Sequence, residues 1–169
     1  MQAYPLSWPS HKLRTRKSER SFGRFSRKND RGYRGDITIN QAVNRIVDEI
    51  RLLKKAGSSR DVSLDDVIIS SDLKLRLDGL PKSGQCAPAD PGVAVYFTLN
   101  DQSQCVPVDS YFDVAQNLAA VAAVLSAFRA LERHGSGLMQ SAFTGFQALP
   151  DPSRNEHPHW TVLFNSSSE

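Results

Sequence analysis

A chain of 169 residues, 40% of them apolar and 23% charged, can bury one sizeable core and is ordinary in composition for a globular protein. Its net charge of +3 is unevenly spread: residues 11–34 hold ten Lys/Arg against Glu19 and Asp30, a local net of +8, which leaves −5 for the remainder. No run approaches the roughly 18 apolar residues of a membrane span, and the opening MQAYPLSWPSHK lacks the basic flank and apolar run of a signal peptide, so a cytoplasmic location and no membrane partner are expected.

Residues 1–10 contain Tyr4, Pro5, Leu6, Trp8 and Pro9. A residue before proline avoids the helical region, so this stretch reads as extended, and its apolar side chains suit a segment clipped onto the body. Residues 11–35 combine charge with Gly23, Gly32 and Gly35 and show no apolar period. That pattern predicts a basic, flexible arm, locally disordered without a partner.

Thr38 and Gln41 fit a capping box, and Ile39, Val43, Ile46, Ile50 and Leu53 recur every three or four residues. This predicts an amphipathic helix over about 39–56, with Lys54 and Lys55 at its negative end and Gly57 as its C-terminal cap. The β-branched Val67–Ile69 predict a strand. Residues 70–92 carry Gly79, Pro81, Gly84, Pro88, Pro91 and Gly92 and read as a long loop, of the kind that often carries function. VAVYFTL (93–99) reads as a buried strand paired in a hairpin with 104–108.

The clearest signal is a helix over about 111–134, with Val114, Leu118, Val121, Leu125 and Phe128 on one stripe and six alanines beside it. Asp109 or Ser110 suits its N-cap and Gly135 its C-cap. A short helix over 138–146 follows. Both stripes and the hairpin lie within 36–150, so that span is expected to hold the core without the arm. Cys86 and Cys105 read as reduced thiols. His134, His157 and His159 lack metal-ligand spacing, so no metal and no cofactor are expected.

RLDGLP (76–81), PADPGVAVYF (88–97), VPVDSYFDVAQNLAAVAAVLSAFRALERHG (106–135) and AFTGFQALP (142–150) stand in one order. Together with YPLSWP (4–9) and an acid- and Leu-containing helix before the first strand, they resemble a family of uncharacterised bacterial and phage proteins. Members often carry a C-terminal J domain, the module with which co-chaperones stimulate a heat-shock chaperone ATPase. HPHWTVLFNSSSE (157–169) is similar to the lead-in to such a domain. The His-Pro-Asp triplet is not present, since His159 follows His157 and Pro158. The resemblance therefore implies a J domain absent or truncated here, a bacterial host cell, and no particular reaction.

Two constellations are candidate sites. In the arm, Arg14, Arg16, Lys17, Arg20, Arg24, Arg27, Lys28, Arg31 and Arg34 suit phosphate neutralisation, and the interleaved Phe22, Phe25 and Tyr33 suit stacking on unpaired bases. In the body, Arg76, Asp78, Asp90, Asp109 and Arg129 form a possible polar site. Carboxylates at strand ends can hold a divalent metal in a nuclease, although Asp-Gly and Asp-Pro-Gly are also turn signals. The three aspartates are expected to be dispersed, each serving its own turn, cap or salt bridge. Arg129 is expected to pair with Glu132 along the helix, and Asn117 to hydrogen-bond the loop. Ser70 and Ser71 lack the His/Asp pattern of a nucleophile.

The sequence thus predicts an α+β fold, a small antiparallel β-sheet with helices packed on one face, preceded by the arm. The organisation is an N-terminal extension (1–35), the α+β domain (36–150) and a tail (151–169). The leading functional expectation is a non-enzymatic accessory protein of a phage or mobile element that binds DNA, RNA or a nucleoprotein complex. A protein-interaction adaptor, the substrate-recruiting part of a J-domain-like co-chaperone, is the alternative. A metal-dependent nuclease is the third.

Overall fold

The computed structural model describes residues 2–28, 34–55, 67–77, 82, 84–99, 102–134 and 146. Strands β1 (Ser26–Lys28) and β2 (Arg34–Asp36) form a two-stranded antiparallel ribbon, in which Ser26 pairs with Asp36. Helix α1 (Ile39–Lys55) follows. Strands β3 (Ile68–Ser71), β4 (Val93–Leu99) and β5 (Gln102–Val108) form an antiparallel sheet in that spatial order, and helix α2 (Val114–His134) comes last. The fold is α+β.

The elements form for local reasons. At the start of α1 the Thr38 N–H donates to Gln41 Oε1 (3.1 Å) and the Gln41 N–H to Thr38 Oγ1 (3.3 Å), the reciprocal capping box. Val43, Ile46, Ile50 and Leu53 are buried along one stripe. The α2 cap is Asp113, not Asp109 or Ser110: its Oδ1 accepts the Gln116 N–H at 3.1 Å. Pro107 stands on β5, an edge strand, where a missing N–H does not break the sheet.

Alternation along β4 creates two cores. Val93, Val95, Phe97 and Leu99 join the α1 stripe and Val114, Leu118, Val121, Leu125 and Phe128 of α2 in the main core. Ala94, Tyr96 and, opposite Tyr96, Cys105 face the other way, where Leu6 and Ile68 cover them. Both helices thus pack on one face, and the N-terminal segment lies across the other. The Leu6 N–H donates to Asp72 Oδ1 (2.9 Å), the Ser7 N–H to Ser70 Oγ (2.7 Å), and the Tyr96 hydroxyl to the Ser7 carbonyl (2.8 Å). Burial on both sides explains why VAVYFTL reads as a continuous apolar run.

The window Val114–Leu131 is long and apolar enough to cross a membrane by composition (mean hydropathy 1.5), contrary to the sequence expectation. In this fold 56% of it is buried, against α1 and the sheet. Apart from Phe146, which packs edge-on against Phe128 (ring centroids 5.3 Å apart), the expected helix 138–146 lies outside the described residues, as do both expected C-caps and the tail.

Candidate nucleic-acid interface

The arm is not detached from the body up to residue 28. Arg14 forms an ion pair with Asp90 through Nη2 and a second with Asp109 through Nε, at 3.1 Å. Arg20 Nη2 stands 3.6 Å from Asp109 and 4.0 Å from Asp90. Asp109 also accepts from the Thr15 N–H (3.0 Å) and hydroxyl (2.6 Å). Its side chain is 4% exposed and that of Arg20 12%, so these two are largely removed from water, whereas Arg14 and Asp90 remain 32% and 34% exposed. Two carboxylates this close would repel; two guanidiniums between them reverse the sign. Arg20 Nε is buried without a hydrogen-bond partner, while Nη2 faces both acids.

This corrects the expected dispersal of the aspartates. Asp90 and Asp109 converge, on arginines of the arm. Asp78 lies outside the described residues, and Arg76 stands exposed on the segment after β3. Arg129 belongs elsewhere: its Nε bonds Glu49 of α1 at 2.9 Å, an inter-helix pair in place of the expected one along α2. It lies about 24 Å along α2 from the Asp113 cap. Glu49 holds the Arg129 guanidinium protonated, above its ordinary pKa, chiefly by that hydrogen bond. No three His, Cys, Asp or Glu among the described residues are grouped to hold a metal. Ser70 Oγ and Ser71 Oγ accept from the Ser7 and Leu73 N–H groups, which gives both serines structural partners.

Packing completes the attachment. The Arg14 guanidinium lies over the Trp8 ring, 4.1 Å from its centroid, and a Cβ at Gly92 would come within 2.8 Å of it. Asn117, buried in α2, donates to the carbonyls of Pro91 (2.8 Å) and Tyr111 (2.9 Å) and accepts the Tyr111 N–H (2.9 Å). The expected bond to the loop is present, and it fixes the segments that carry Asp90 and Asp109.

Downstream, the Ser21 N–H donates to the Ser110 carbonyl (2.9 Å) and the Phe112 N–H to the Ser21 carbonyl (3.2 Å). Gln116 clamps Phe25 through both main-chain groups, each at 2.8 Å. Phe25 is thereby turned inward onto the core and edge-on to Tyr111, so it does not present a free ring for stacking as the sequence reading expected. Phe22 points out: it is 83% exposed and touches only the ring of Phe112 among the described aromatics (centroids 5.1 Å apart).

The nine basic candidates therefore separate. Arg14 and Arg20 are spent on the body's acids. Arg16, Lys17 and Arg24 are exposed and form no ion pair among the described residues. The side chains of Arg27, Lys28 and Arg34, and residues Arg31 and Tyr33, lie outside the described residues. Sequence reasoning missed Thr15, Gln116 and Phe112. Gln116 does stand three residues after Asp113, a capping-box spacing, but its side chain serves Phe25 instead of the cap.

A groove of about 300 Å³ runs between α1 and α2 beside Phe25. Its charged groups have internal partners: Arg45 donates to the Ser26 carbonyl, Asp48 pairs with Arg51, and Glu49 with Arg129. Family models, curated proteins and solved structures offer no match to the chain.

Proposed function

We propose that this chain is a non-enzymatic nucleic-acid-binding accessory protein, of the kind a phage or mobile element encodes. The observation that carries this reading is the division of labour in the arm. Two arginines neutralise the acids beneath them, and the exposed Arg16, Lys17 and Arg24 form no ion pair among the described residues, in a stretch whose only described acid is Glu19. Binding a polyanion there releases its counterions, which makes the affinity steeply salt-dependent.

The test is fluorescence anisotropy of labelled DNA and RNA with the full chain over a salt series. Replacing Arg16, Lys17 and Arg24 by Ala should weaken binding to all sequences alike, because phosphate contacts carry no base information. The log–log slope should fall by about 0.7–0.9 for each phosphate that is no longer neutralised. No binding to single or double strands at low salt would overturn the reading. The adaptor alternative draws on the exposed Leu13 and Leu77 (96% and 110%) and predicts a protein partner retained at high salt.

A further inference from the structure

We infer that Phe22 and Phe112 form a stacking platform for an unpaired base, so that the preferred ligand is a single-stranded nucleic acid. This rests on the nucleic-acid reading above and adds a mode of contact to it. A phenylalanine exposed to 83% leaves most of its ring in water, which burial in the nearby core would relieve. Here the backbone forbids that. The segment is held at one end by the Ser21 bridge to Tyr111 and at the other by both Gln116 bonds to Phe25.

Between these clamps the chain alternates. Phe25 turns inward, and Gly23 approaches Gln116 so closely that a Cβ would lie 2.3 Å from its side-chain carbon Cδ. Phe22 and Arg24 are both exposed. Residues two apart on an extended chain share a face and lie about 6–7 Å from each other. A base stacked on Phe22 would thus have Arg24 in reach of a flanking phosphate, with Arg16 and Lys17 a few residues upstream on the same arm.

Phe112 supports the ring from the body. It is 38% exposed and meets Phe22 at an interplanar angle of 39°, so the pair offers a continuous aromatic surface. Apolar rings next to exposed cations that form no ion pair among the described residues match a ligand with π-faces and negative charge. Duplex DNA keeps its base faces stacked internally, whereas single strands present them, and base–aromatic stacking tolerates any sequence.

The full chain is titrated with a labelled single-stranded oligothymidylate and with a duplex of equal length. Phe22→Ala should reduce single-strand affinity about 5- to 150-fold and leave duplex affinity within about twofold, with an unchanged salt slope. Phe112→Ala should act in the same direction, and Phe22→Trp should retain the affinity. Equal melting temperatures of Phe22→Ala and the parent would confirm that the fold is intact. If Phe22→Ala leaves single-strand binding unchanged while the triple Arg16, Lys17 and Arg24 variant weakens it, the platform is overturned and the nucleic-acid reading stands. Binding to anionic lipid vesicles with none to either oligonucleotide overturns both.

Discussion

Arg14 and Asp109 meet at 3.1 Å across the junction of arm and body, and that contact makes the arm part of the folded structure. Asp109 directly follows β5 and is nearly buried. Without cations from the arm it would be a desolvated carboxylate beside a second one. Two members of the positive run thus neutralise the body's acids, and under the proposed function only its exposed members would meet an external anion.

Replacing Arg20 by Ala removes a guanidinium whose side chain is 12% exposed and leaves Asp109 with less compensation. The expected loss of stability is about 1–3 kcal/mol, read from urea melts. Arg16→Ala and Lys17→Ala, at exposed positions, should stay within about 0.5 kcal/mol. A deletion of residues 11–35 should destabilise by more than Arg20→Ala, because it also removes Arg14, Thr15 and Phe25 from their partners. An unchanged midpoint for the deletion would show that the body holds its core and its acids without the arm.

Gly23→Ala should also weaken the attachment, by about 1–3 kcal/mol. The added Cβ would sit 2.3 Å from Gln116 Cδ and 2.6 Å from Nε2. Gln116 cannot swing aside freely, because Nε2 and Oε1 both hold the main chain of Phe25. Pairing Gly23→Ala with Gln116→Ala relieves the clash, so the double variant should be more stable than the sum of the singles predicts. Simple additivity in that cycle would refute the close approach.

These two cases show what the sequence could reveal. The α2 stripe, the capping box at Thr38 and the VAVYFTL strand are legible because each is a local pattern within one element. The fold class follows from them. Asp109 reads as a helix cap in the sequence because its true partners, Arg14, Thr15 and Arg20, lie about ninety residues away in the chain. Charge density alone predicts a free arm, since it counts repulsion within the arm and not the acids that the fold brings beneath it. Phe22, Phe25 and Tyr33 look equivalent as interleaved aromatics. Only the Gln116 clamp decides that Phe25 turns in and Phe22 turns out.

Asn117→Ala should cost at least about 2 kcal/mol. The residue is fully buried in an alanine-rich stretch, yet its amide joins Pro91 to both main-chain groups of Tyr111. Truncation leaves three main-chain groups without this partner while removing little apolar surface. Because these bonds set the loop before β4 and the turn before α2, the variant should also speed hydrogen exchange at Tyr111. Loss of stability with unaltered exchange there would mean that Asn117 acts through packing alone.

The two thiols should differ sharply in chemistry. Cys86 is exposed, whereas Cys105 is buried beneath Leu6 and beside Tyr96. Burial pushes the Cys105 thiol up from 9.0 to about 12, and a hydrogen bond with Tyr96 only partly offsets it. The thiolate is the reactive form, so a disulfide reagent at neutral pH should label Cys86 quickly and Cys105 only on unfolding. The same shift sets a sign for stability. Above pH 9.0 an unfolded chain releases the Cys105 proton while the native one keeps it until about pH 12. The native state then binds more protons, so this group's contribution is complete below pH 9.0 and is lost as the pH rises toward about 12. Cys105→Ala removes that contribution. The stability gap between parent and variant should therefore narrow as the pH is raised above about 9. A gap that stays constant or widens over that range would show that Cys105 ionises in the native state.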